Sequence, residues 1–370
     1  MKNFTIISTL FLVFFLTASV ADTRKDTHFS AQASFEELKN VLTQQYAYID
    51  RPGVDVEALF SKFQDEAISS KTKQAFLDVA QKLLRHFYDP HLNLGPYNES
   101  DFSVFPTGSD IRVVYIDGKF IIEDVKSKAA ADNAGIKPGA EVMSIDGTPI
   151  EQAIEMLFGN KVSELSLNQV NYGANVVLGG LRNQHRAIEI KTLNQLKTYD
   201  LPPSYKSIND MRDGPTLYYS ISNGIGLIKF NNSLGNSKTA AEFKKALSAM
   251  SDTTALIIDL RNTPSGGNTS TAEPIMGHFV DKKTTYQLYQ QQAAGVRYQD
   301  AEMKKAYVEP SSPYYAKPFL VLAGHWTGSM GEGMTIGLDA LGAKTIIGAP
   351  MADLLGGIKT VTLTNSNAWL

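Results

Sequence analysis

Ser329 stands in the stretch AGHWTGSMGEGM, residues 323–334, with His325 before it, Glu332 after it, and Gly328 and Gly331 around it. The chemistry these residue types offer is attack by a hydroxyl. A serine hydroxyl is a weak nucleophile until a base takes its proton and donors receive the oxyanion. The stretch follows the apolar run PFLVLA (318–323) and precedes a helical pattern over 330–341, so Ser329 falls at a helix N-terminus. There, free N–H groups and the positive end of the helix dipole stabilise developing negative charge. The simpler reading of the same residues is that Ser329 or Thr327 only caps the helix.

A nucleophile needs a base within reach. The order Ser, acid, His of an α/β-hydrolase is excluded, because the last histidine, His325, precedes Ser329. Only Lys344 and Lys359 follow Ser329, and Lys344 opens a strand. The base is then sought upstream among His28, His86, His91, His185, His278 and His325. His91 has the most suitable setting. Phe76, Val79, Ala80, Leu83, Leu84 and Phe87 form one helical stripe, and Pro90 ends that helix near Asp89. His91 therefore sits in a turn, between Asp89 and Asn93; an ordinary surface turn histidine fits the same place. His86 flanks the stripe, and His325 is the second candidate. A third piece, DLRNTPSGGN (259–268), ends the apolar run ALIIDL and carries Gly266 and Gly267, where backbone can approach a ligand. An N–H from this loop and that of Met330 would make an oxyanion hole; an ordinary glycine turn is the alternative.

The elements that must position these residues are legible in part. Ser34 and Glu37 are spaced as a capping box before Leu38, Val41, Leu42 and Tyr46. Asp117-Gly118 marks a hairpin between strands 111–116 and 119–125, followed by a small-residue helix over 129–134, a strand at EVMSIDG and a helix from Pro149. Residues 157–200 yield only a strand near 187–191. From 224 onward, GIGLIKF, ALIIDL, PFLVLA and KTIIGA alternate with helical stretches, which predicts an α/β fold with parallel crossovers. Functional residues of such folds gather at the carboxyl ends of the strands, where both candidate loops lie.

Composition narrows the classes. The 370 residues suggest two or three domains, and the net charge of −3 offers no basic surface for nucleic acid. Cysteine is absent, so no disulfide, thiol nucleophile or lipidated cysteine is available. No metal-ligand spacing occurs, no cofactor is implied, and GEGMTIG lacks the spacing of a nucleotide loop. Lys2, the apolar run Phe4–Leu16 and Ser19-Val20-Ala21 read as an export signal over residues 1–21, too short for a membrane span. A periplasmic or secreted protein is expected, with no membrane span once the signal is removed.

Four stretches together resemble the serine peptidases of the C-terminal processing protease and tricorn-core family, over about Phe35 to Leu363. LLRHFYDPHLNL resembles the family's Asp-x-His segment, and VKSKAAADNAGIKPGAEVMSIDGTPI is similar to its PDZ-like module. ALIIDLRNTPSGGN is similar to its Asp-Leu-Arg-Asn…Gly-Gly strand and loop, and TGSMGEG to its nucleophile segment. The resemblance implies an N-terminal helical region (22–105), a PDZ-like β-rich module (106–200) and a crotonase-like α/β peptidase domain (201–370). It implies proteolysis of protein or peptide substrates with Ser329 as nucleophile and Met330 and Gly267 N–H groups as oxyanion donors. GAPMADLLGGIKT has no lysine where one branch of the family has its base, so the tricorn-like Ser–His branch fits, with His91 as base. That branch takes an orienting Glu from strands beyond the nucleophile domain, whereas this chain stops at TNSNAWL. A truncated sequence, or loss of the last catalytic element, is the expectation. Glu332 is an in-chain substitute, although a carboxylate at a helix N-terminus also has a purely stabilising role. The alternative function is an inactive, peptide-binding relative; a crotonase-type acyl-CoA enzyme is disfavoured by the export signal and the PDZ-like stretch.

Overall fold

The computed structural model describes residues 29–193, 195–203, 214–293, 295–354 and 356–370. The stretch read as an export signal lies outside the described residues. Three helices come first: α1 (Ala31–Gln45), α2 (Val56–Ile68) and α3 (Lys73–Arg85). Phe35, Leu38, Phe60, Phe63, Phe76 and Leu83 bury one apolar core between them, each burial contributing about 1.5–3 kcal/mol before entropy is counted. The cap of α1 is Ser30, whose side chain accepts from Ala33 N–H; Ser34, expected as the cap, lies inside the helix and donates to the Ser30 carbonyl. The helix thus begins earlier than the capping-box spacing suggests. α3 likewise stops at Arg85, several residues before Pro90, and His86 takes the C-cap.

A six-stranded antiparallel sheet follows, built from β1 (Ile111–Ile116), β2 (Lys119–Val125), β3 (Glu141–Ile145), β4 (Thr148–Pro149), β5 (Arg186–Lys191) and β6 (Leu196–Leu201). Their order is β1-β2-β3-β5-β6, with β4 paired to β3. The short α4 (Ala130–Asn133), α5 (Ile150–Phe158) and α6 (Leu167–Gly179) accompany it. The hairpin strands 111–116 and 119–125 fall where the sequence places them. α6 was not expected, and the reason is chemical. Its Asn171 and Asn175 interrupt the apolar stripe because they face a strand edge. Asn175 accepts from Val113 N–H at 2.8 Å and donates to the Val113 carbonyl at 2.8 Å; Asn171 accepts from Tyr115 N–H at 2.7 Å. Two side-chain amides here satisfy backbone groups that a neighbouring strand would otherwise pair.

The last part alternates strand and helix. β7 (Leu217–Ser222) and β8 (Ile225–Phe230) form a hairpin; α7 (Thr239–Ser248), β9 (Ala255–Asp259) and α8 (Thr269–Met276) follow. An antiparallel pair, β10 (Thr284–Gln290) with β11 (Met303–Val308), precedes β12 (Phe319–Ala323), α9 (Met330–Ala340) and β13 (Ile346–Gly348). The sheet order is β13-β12-β9-β8-β7, parallel except for β7. The parallel crossovers expected from the buried runs are present. β7 and the β10–β11 pair went unpredicted; most of their side chains are exposed, so they lack an apolar run.

The chain then returns to its start. β14 (Thr362–Leu363) pairs with β15 (Ala368–Trp369), and Leu363 and Ala368 join the core of the first helices. Trp369 exchanges backbone hydrogen bonds with Gly95 at 2.9 and 3.0 Å. Glu37 of α1 accepts from the backbone of Thr364 at 2.8 Å and of Asn365 at 3.1 Å. The parallel-sheet unit that carries Ser329 is thereby tied to the helical layer at its far end.

Candidate active site

β9 and β12 are adjacent and parallel, so the loops leaving their carboxyl ends lie side by side. Leu260 N–H donates to the Leu322 carbonyl, Thr263 N–H to the Trp326 carbonyl, and Thr327 Oγ1 to the Leu260 carbonyl. These bonds lock the 260–268 loop against the turn that carries Ser329. Asn232 adds two more, accepting from Ser265 N–H and donating to Ser265 Oγ at 2.9 Å each. At the strand end, Arg261 makes a forked pair with the buried Asp259, at 2.9 and 2.8 Å.

Ser329 is the N-cap of α9 and has φ 51°, ψ −116°. A non-glycine residue at positive φ is uncommon, and holding it there costs about 1–3 kcal/mol unless its surroundings enforce it. Glu332 enforces it. Its Oε2 accepts from Ser329 N–H at 2.8 Å and from Leu354 N–H at 2.9 Å, and its Oε1 from Asp353 N–H at 3.1 Å. Burial pushes the Glu332 carboxyl up to about 7, against these three donors, which favour the anion. A carboxyl raised in the folded state stabilises the fold fully below its unfolded pKa of about 4.3, and that contribution is lost as pH rises to the folded value. In denaturant titrations, the native protein should therefore lose stability relative to Glu332→Gln between about pH 4.3 and 7, by up to roughly 1.4 kcal/mol per pH unit. A pH-independent difference would contradict this assignment.

The glycine pair serves two different contacts. Gly266, at φ +62°, lies against Ser329: a Cβ there would stand 2.4 Å from Ser329 Cβ, 2.8 Å from its Oγ and 2.9 Å from Met330 N. Gly267 lies against Leu234, whose carbonyl oxygen would stand 2.3 Å from an added Cβ. Gly266→Ala should cost about 2 kcal/mol or more in a urea titration, through φ strain and this overlap together. An unchanged unfolding midpoint would show that the loop does not rest on Ser329.

The histidines are distributed differently. His325 is 5% exposed, and its Nε2 is 3.3 Å from Glu123 Oε2 on β2. Burial and the Arg112 charge lower its pKa, while Glu123 opposes them. The neighbouring Trp326 donates to the Ser109 carbonyl at 2.9 Å, so this turn docks on the six-stranded module. His86 is buried with Nε2 3.1 Å from the Phe158 carbonyl, a packing role. His91 is half-buried in the turn beyond α3, with its N–H donating to Asp89 Oδ1 at 2.8 Å. Asp89 also accepts from Tyr46 Oη at 2.7 Å and faces Arg51 at 3.9 Å. Arg51 in turn pairs with Asp353, the residue whose N–H binds Glu332. A contact series thus leads from the His91 turn to the Ser329 elbow. Beside Arg51 and Asp353 lies a cleft of about 470 Å³, lined also by Pro90, Arg112, Tyr172 and Ala352 but by neither Ser329 nor His91.

Ser329, Met330, Glu332 and the Gly266–Gly267 loop are thus brought together, His325 is engaged elsewhere, and His91 is connected through Asp89, Arg51 and Asp353. Arg51 and Asp353 were missed by sequence reasoning. They sit in DRPG and MADLL, and neither stretch signals a partner some three hundred positions away. Among the described residues no acidic or histidine cluster fit to hold a metal ion occurs, and no helix is long and apolar enough to cross a membrane.

The Peptidase family S41 model matches residues 224–369. The carboxy-terminal processing protease CtpB of Bacillus subtilis (strain 168) is 25% identical over 245 residues, which is 62% of this chain. The chain spans about half, 46%, of that relative's length. Among solved structures, the photosystem II D1 C-terminal processing protease is similar with a TM-score of 0.55 at 15% identity, covering 92% of this chain and 86% of its own. Mature CPAF gives a TM-score of 0.58 at 14% identity, covering 90% and 85%. At such identities these two similarities are likenesses of fold. Over residues 224–369 the chain thus matches peptidase family S41, and the curated relative it is similar to is a C-terminal processing protease, in keeping with the resemblance of its motifs.

Proposed function

We propose that the protein is an exported serine endopeptidase that hydrolyses peptide bonds of protein or peptide substrates. Ser329 attacks the carbonyl, and His91 takes its proton and returns it to the leaving amine. The N–H groups of Met330 and Gly267 receive the oxyanion. The six-stranded module, in its PDZ-like role, offers a strand edge to an extended chain, and the parallel-sheet domain is the crotonase-like catalytic unit.

The observation that carries this reading is the backbone of Ser329. Positive φ at a helix N-terminus, directly after a buried parallel strand, is a strained arrangement held by a buried carboxylate. A serine that only caps a helix sits in extended backbone and needs no such enforcement. The engagement of His325 Nε2 with Glu123 favours His91 as the base. The test is incubation of the purified protein with an unfolded polypeptide, with new termini counted by mass spectrometry. New termini that disappear on treatment with a fluorophosphonate, and persist with a chelator, support the proposal. A folded protein that binds the polypeptide without generating termini, and resists the fluorophosphonate, is the inactive peptide-binding relative instead.

A further inference from the structure

We propose that Arg51, in the loop between α1 and α2, is a positioning residue for Ser329, acting through Asp353 and Glu332. The inference rests on the reading of Ser329 as nucleophile. Asp353 is itself at φ +62°, a left-handed conformation that Asp visits more readily than most residues but that still costs an L-residue about 1–2 kcal/mol. Two contacts hold it. Its N–H donates to Glu332 Oε1 at 3.1 Å, and its carboxylate pairs with Arg51.

Arg51 is well placed to fix a partner. Its side chain is 9% exposed, its guanidinium lies 4.4 Å from the centre of the Tyr88 ring, and Asp89 faces it from the other side. A planar guanidinium clamped in this way has little freedom to lose when it binds a carboxylate. The loop it holds is supported further along by the end of α1 and the α1–α2 loop. Gly356 lies against the Tyr48 hydroxyl, and Lys359 Nζ is 3.5 Å from Gln45 Oε1. Behind that loop is the nucleophile turn. Ala352 N–H donates to the Thr327 carbonyl at 3.0 Å, and Gly328 lies against Leu354 and Ala352.

Removing the Arg51 charge frees Asp353 to leave its left-handed conformation. Its N–H and that of Leu354 then withdraw from Glu332, and the carboxylate that holds Ser329 N–H loses two of its three backbone partners. The elbow relaxes, and the hydroxyl moves away from the position that attack requires. A displacement of about 1 Å at a reacting atom costs on the order of 100-fold in rate.

The experiment measures the rate of Ser329 phosphonylation by a fluorophosphonate, together with kcat and KM on a peptide, for wild type, Arg51→Met, Arg51→Lys, Asp353→Asn and Arg51→Met/Asp353→Asn. Asn is no more strained than Asp at positive φ, so Asp353→Asn removes the ion pair without adding backbone strain of its own; it also tests the pair if Arg51→Met fails to fold. The expected result is a fall of about 10- to 100-fold in kcat and in labelling rate, with KM within threefold, for both single charge-removing variants. The double variant should be no slower than either single one, and Arg51→Lys should recover part of the rate. Folded Arg51→Met and Asp353→Asn proteins that label at the wild-type rate would overturn the proposal while leaving Ser329 as nucleophile. Wild-type protein that is not labelled at Ser329 would instead overturn the reading on which the proposal stands.

Discussion

Replacing Ser329 with Ala should lower kcat on a peptide substrate by about 10⁵-fold or more, with KM changed by less than about threefold. The reasoning is geometric. The hydroxyl contributes nothing to substrate binding beyond its small surface, whereas in the proposed mechanism it forms the bond that breaks the peptide. What remains in the variant is whatever the Met330 and Gly267 N–H groups do for attack by water, which in serine peptidases of other folds is a residual about 10³–10⁴-fold over water. Folding should survive. The elbow is held through the Ser329 N–H, which Glu332 accepts, and that group persists in alanine. The Cβ that rests against Gly266 persists too. The check is steady-state kinetics together with an unfolding curve. A variant that keeps a tenth of the activity would show that Ser329 is only a structural feature of the α9 N-terminus.

Replacing His91 with Ala should lower kcat by about 10³-fold or more, because general-base assistance is worth about 10²–10⁴-fold and the proton must later reach the leaving amine as well. His91→Ala leaves the backbone bond from residue 91 to Asp89 in place, so the turn should keep its shape. Two readouts separate chemistry from structure. Added imidazole should restore part of the rate by occupying the space left by the side chain. His325→Ala should affect stability more than turnover, because His325 is buried against Glu123 and beside Trp326, which donates to the Ser109 carbonyl. If His325→Ala abolishes turnover in a folded protein and His91→Ala does not, the base has been assigned to the wrong histidine.

These variants explore a site whose parts differed in how clearly the sequence displayed them. The ALIIDL and PFLVLA runs are apolar because β9 and β12 bury one face in the core and half-bury the other, and burial on that scale leaves a pattern. With the two strands paired in parallel, the meeting of their exit loops followed. What stayed hidden was polar and distant. α6 escaped notice because Asn171 and Asn175 serve the edge of β1 rather than water. β7 and the β10–β11 pair expose most of their side chains, so no alternation marked them. α2 has its signals, Asp55 as cap before Leu59, Phe60 and Phe63, in a weaker stripe than that of α3. Arg51 and Asp353 carry no local signature, since a long-range ion pair leaves no periodicity. Glu332 was legible as a carboxylate one turn beyond the serine. That it would hold three backbone N–H groups was not, because two of them belong to residues 353 and 354 in a separate loop.

The central claim is that a turn from the early helical layer and the start of a late helix act on one carbonyl. A crystal structure of the fluorophosphonate-inhibited protein tests it most directly. The account predicts phosphorus bonded to Ser329 Oγ, one phosphonyl oxygen within about 2.7–3.1 Å of Met330 N and Gly267 N, and an imidazole nitrogen of His91 within hydrogen-bond reach of the adduct. Phosphorus on another residue, or an adduct on Ser329 with the His91 ring turned away and another base in its place, would contradict it.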